Sequence, residues 1–80
     1  MPLDIQWFIF ALISNGAISA EDADSLYQSL EGTPDLESYA QLVLDRMITG
    51  LSEEDQQSVL EQVQAVIDYA VAQAETGIGP

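Results

Sequence analysis

The side chains able to do chemistry in this sequence are almost all carboxylates. Fourteen Asp and Glu residues face a single base, Arg46, and the chain has no histidine, cysteine or lysine. Proton transfer by a group poised near neutrality, thiol catalysis and thiolate metal sites therefore have no carrier. What remains is paired carboxylates, which can serve as acid and base or hold a hard cation. Two runs are close enough in sequence: Glu21, Asp22 and Asp24, and Glu53, Glu54 and Asp55. Neither has the spacing of a calcium loop, and without histidine no glutamate-x-x-histidine metal pair can form. Each run follows a serine, Ser19 or Ser52, and acids behind a capping serine complement the positive end of a helix. The expectation is that they stabilise helix starts, with no catalytic residue, no cofactor and no metal.

Those capped starts and a set of glycine stops mark out the elements. Helices are expected at residues 4–15, 20–31, 34–49 and 53–75. The first begins near Asp4 and stops at Asn15-Gly16, a left-handed terminator pair. The second follows Ser19, keeps Ala23, Leu26, Tyr27 and Leu30 on one stripe, and ends at Gly32. The third opens at Thr33-Pro34-Asp35, with threonine as cap and proline in the first helical position. It turns Leu36, Tyr39, Ala40, Val43, Met47 and Ile48 inward, and Gly50 ends it. The fourth carries Val59, Leu60, Val63, Val66, Ile67, Ala70, Val71 and Ala74 on a wide apolar face, opposite Gln57, Glu61, Gln64, Asp68 and Glu75.

The stretch Ile13–Asp22 echoes Ile48–Asp55: a helix end, a glycine, an aliphatic residue and a capped acidic start. The aliphatic residues Ile18 and Leu51 are placed to staple onto the helix that follows. Either a true repeat or the shared chemistry of short helix-to-helix turns accounts for the echo. The fold class expected is all-α, a compact four-helix domain of two helical hairpins over residues 1–76. Residues 77–80 read as a flexible tail or the start of a linker.

Eighty residues with 48% apolar side chains can form one core despite a net charge of −13. That charge excludes nucleic acid and anionic membrane as partners, since both require Lys and Arg. It attracts basic proteins, and it also simply keeps a protein soluble. The apolar run Trp7–Ile13 is short of the ~20 residues a membrane span needs, and Asp4 stands where a signal peptide carries positive charge. The expected location is cytoplasmic.

The triplet Asp24-Ser25-Leu26 resembles the phosphopantetheine attachment site of acyl carrier proteins, which are likewise small, acidic and four-helical. The segment Val63–Tyr69 is similar to the last helix of that family. The resemblance implies that Ser25 would carry the prosthetic group.

Trp7, Phe8 and Phe10 point in different directions around a first helix with no polar face. Phe8 suits the core, whereas Trp7 and Phe10 are the candidates for a partner interface. Tyr27 and Tyr39 are expected at the core edge, each hydroxyl reaching water. Arg46 is expected to pair with Asp45 or with an acid across the bundle. The leading expectation is a protein–protein interaction module, an adaptor or terminal oligomerisation domain that docks through apolar helix surfaces. Its partners would be another copy, giving a homo-oligomer, or another protein, a basic one being suited to the charge. The alternative is an inhibitor that mimics nucleic acid and fills a basic groove, and an acyl carrier is the third.

Overall fold

Three of the four helices start where a side-chain oxygen is at hand to accept a free backbone amide. Ser19 accepts from the amide of Asp22 at 3.1 Å, Asp35 from that of Ser38 at 2.8 Å, and Ser52 from that of Asp55 at 3.3 Å. The computed structural model covers residues 1–80 and contains α1 (Leu3–Ser14), α2 (Ala20–Gln28), α3 (Leu36–Ile48) and α4 (Glu53–Glu75), with no strand. This is an all-α four-helix domain. No helix is long and apolar enough to cross a membrane.

Two boundaries differ from the sequence reading by more than one residue, for local reasons. α2 stops at Gln28 because Ser29 donates its hydroxyl to the Leu26 carbonyl at 2.7 Å and the Leu30 amide closes onto Tyr27, which tightens the chain into a turn. Gly32 then lies in the loop beyond. α3 starts at Leu36 because Asp35, and not Thr33, is the cap, so Pro34 precedes the helix. An ionised carboxylate is the stronger acceptor. α1 is shifted by one residue, and α4 has the bounds expected.

The end of α1 shows why glycine is needed there. The amide of Gly16 bonds to the Ile13 carbonyl at 3.0 Å and that of Ala17 to Leu12 at 2.9 Å, the paired closure of a Schellman turn. The turn requires a left-handed residue, and Gly16 has φ +72°. It delivers Ile18 into the core, where it is buried.

α4 is the spine. It packs against α1 and α3, while α2 packs on α3 and α1 and does not reach α4. Trp7 meets Tyr69 and Asn15 lies across from Gln62, so α1 runs antiparallel to α4. α3 runs the same way, with Ala40 near Val63 and Ile48 near Gln56. The core gathers Ile5, Phe8 and Leu12 of α1, Tyr39 and Val43 of α3, and Val63, Val66 and Ala70 of α4. No charged side chain is buried.

The sequence reading is corrected at three apolar positions. Tyr39 is fully buried, and its hydroxyl donates to the Ala23 carbonyl at 2.7 Å instead of reaching water. Its ring stacks edge-on against Phe8 and Tyr27, so it ties α2 to α1 and α3. Leu60 and Val71, assigned to the inward face of α4, are exposed. They lie towards the outer flank of that face, where α3 alone is too narrow to cover them.

Candidate functional site

The acids that were candidates for chemistry stand at or just inside helix starts. Ser19 and Ser52 cap helices whose first turns hold Glu21 and Asp22, and Glu53, Glu54 and Asp55. No three carboxylates approach closely enough to hold a metal ion. Asp35 has its carboxyl lowered from the ordinary range by the backbone amide of Ser38 and then by that residue's side chain. Burial, reinforced by the charge of Asp24, pushes the Tyr39 phenol up to about 12. A phenol locked against a helix carbonyl is a strut between helices. Arg46 reaches Asp22 at 3.7 Å, both side chains being well exposed, so it joins α3 to α2 through a weak surface pair. Ser25 lies in the interior of α2, with its side chain exposed.

The two aromatic candidates separate. Trp7 is only 8% exposed: Tyr69 lies edge-on at 5.8 Å, and the indole N–H donates to the carbonyl of Ile78. The backbone after α4 turns through Gly77, φ +74°, to bring that carbonyl back over α1. Phe10 is 47% exposed, its inner edge resting on the Trp7 ring at 5.5 Å. Phe8 is fully buried, as its place in the pattern implied. Phe10 therefore presents on the surface a ring that Trp7 holds from behind.

Beside it runs an open groove of about 380 Å³ between α1 and α4, lined by Phe10, Ala11, Ser14 and Asn15 on one wall and Gln62, Ala65, Val66 and Tyr69 on the other. None of the eight is charged. Tyr69 is 42% exposed, and Ile13, one turn beyond Phe10, is exposed as well. The groove thus offers two aromatic edges, small aliphatic side chains and a few amides and hydroxyls. That arrangement can bury apolar side chains and pair a small number of polar groups. It contains no carboxylate and no cation.

Tyr69 escaped the sequence reading. It stands between the apolar and polar faces of α4, and only the approach of α1 decides which neighbours it has. A search against family models, curated proteins and solved structures found no match for the chain.

Proposed function

We propose that the chain is a protein–protein interaction module that docks an apolar helical segment of its partner along the α1–α4 groove, and that it is not an enzyme. The observation that carries this reading is Phe10, a large aromatic held half out of the fold by Trp7 next to an uncharged groove. Exposed rings on a rigid helix act as anchors because their conformational cost is already met and their burial is worth the most per residue. Shape supports the same reading. α4 is covered by α1 and α3 but not by α2, which leaves beside α1 the place another helix of a bundle would occupy.

The nucleic-acid mimic is less well supported. A strand of B-form DNA carries one charge about every 3.4 Å. The outer side of α4 carries Glu54, Glu61, Asp68 and Glu75, one every seven residues, or about 10 Å apart. The uncharged groove and its aromatics have no use in such a mimic. The acyl-carrier reading rests on the Asp24-Ser25-Leu26 triplet and the Val63–Tyr69 segment, and Ser25 lies inside α2 instead of at a helix start.

A photo-reactive amino acid placed at position 10 in the native host tests the proposal. A discrete cross-linked species from position 10, absent when the group is moved to the solvent-facing position 57, is the expected result. No cross-link at either position, or the same products from both, counts against it.

A further inference from the structure

We infer that the occupant of the α1–α4 groove is a basic amphipathic helix of a different protein, carrying Lys or Arg at seven-residue spacing beside its apolar stripe, and not a second copy of this chain. The inference rests on the docking reading above and names the partner's chemistry. It comes from the surface of α4 next to the groove. Moving outward from Tyr69 around the helix, the first side chains met are Ser58, Ala65 and Ala72, all small and all exposed. They are separated by seven residues, so they form a shallow lane that lets another backbone approach closely.

Past that lane stands the ridge of Glu54, Glu61, Asp68 and Glu75, every one exposed and again seven residues apart. The only interaction found along it is an amide of Gln64 donating to Asp68 at 3.2 Å. No cation neutralises the ridge, because the single base of the chain, Arg46, pairs with Asp22 on α2. A helix lying in the groove would place its own flanking residues opposite this ridge, as the flanking positions of a coiled coil do. Seven-residue spacing on α4 matches seven-residue spacing on the partner. A second copy fails this match: it brings another net charge of −13 and its own acidic ridge to the contact.

The test uses three synthetic peptides of three heptads each. One is an amphipathic helix with leucine in the apolar seam and lysine flanking it, the second has glutamate in place of lysine, and the third is a scramble of the first that has no apolar stripe. Calorimetric titration into the full chain should show the lysine helix binding at least tenfold tighter than the other two, with binding weakened as salt rises past about 0.15 M. Converting Glu61 and Asp68 together to Gln should weaken it about three- to tenfold. Phe10→Ser should weaken it about tenfold or more, with the helical circular dichroism unchanged.

Equal binding of lysine and glutamate helices, or no effect of the Gln pair, overturns the basic partner. Binding of the scramble as tight as that of the lysine helix, or indifference to Phe10→Ser, shows mere charge attraction and overturns the groove itself. A chain that binds none of the three also overturns the inference. If light scattering then finds a dimer that Phe10→Ser dissolves, the docking face survives with a second copy as its occupant.

Discussion

Replacing Phe10 and Phe8 separately by alanine distinguishes an anchor from a core residue, because the two rings lie two positions apart on one helix. A fully buried phenylalanine side chain contributes about 1.5–3 kcal/mol by transfer, and Phe10, with 47% of its surface open, retains roughly half of that. Its edge contact with Trp7, at 5.5 Å, adds about 0.5–1.5 kcal/mol. Phe10→Ala is therefore expected to cost about 2 kcal/mol. Phe8 is fully buried and also touches Tyr39, so Phe8→Ala should cost about 3–5 kcal/mol, cavity included. Domains of this size lose about 4–8 °C of Tm per kcal/mol. Thermal unfolding followed by circular dichroism should place Phe10→Ala roughly 10 °C below the parent and Phe8→Ala clearly lower, near the limit of what so small a domain tolerates. Equal losses from the two substitutions would refute the reasoning, since Phe10 would then be serving the fold with its whole surface.

Tyr39→Phe removes one buried hydrogen bond and should cost about 1 kcal/mol in urea unfolding. Because the folded phenol is raised to about 12 from an ordinary 10.0, its stabilisation is whole below pH 10 and falls away as pH rises through 12; parent and variant curves should converge across that window, and parallel curves would count against the strut. Asp35→Asn should retain most of the cap but reduce acid sensitivity, because a carboxyl lowered in the fold stabilises above its ordinary range and loses that contribution as pH falls; unfolding at neutral and at acid pH checks this. Gly16→Ala meets no atom within 4 Å of the added carbon, so its cost is backbone alone, about 1–2 kcal/mol in thermal unfolding, and an unchanged Tm would dismiss the left-handed requirement.

Capping chemistry was legible in the sequence because it is local. Ser19 and Ser52 cap where the residues around them said they would, and Gly16 closes α1. The start of α3 was misplaced because Thr33-Pro34 and Asp35 both satisfy the rules for a helix entry, and only the geometry of the amide of Ser38 chooses between them. Tyr39 was misplaced for a different reason. Its position on α3 is fixed by periodicity, but its hydroxyl finds the carbonyl of Ala23, sixteen residues earlier, through the tertiary approach of α2. The same holds at the candidate site. A first helix without a polar face announced a surplus of aromatics, yet which of them stays outside depends on α4 and on the return of Ile78 over Trp7.

The acidic ridge shows how two explanations can share one sequence feature. Glu54 sits in the first turn of α4, where the helix dipole suffices to explain it, and Glu61, Asp68 and Glu75 read as an ordinary solvated face. Once α1 and α3 are placed, α4 is seen to have one side for the core and another with nothing packed on it, running past the ends of both neighbours: α4 has 23 residues, α1 has 12 and α3 has 13. A helix that only had to close this core could stop about one turn sooner, since its last fully buried residue is Ala70. Its extra length keeps the groove wall, the lane of small residues and the carboxylates in register over the full span, and that shared seven-residue period is what a docking helix requires and what a merely soluble surface does not.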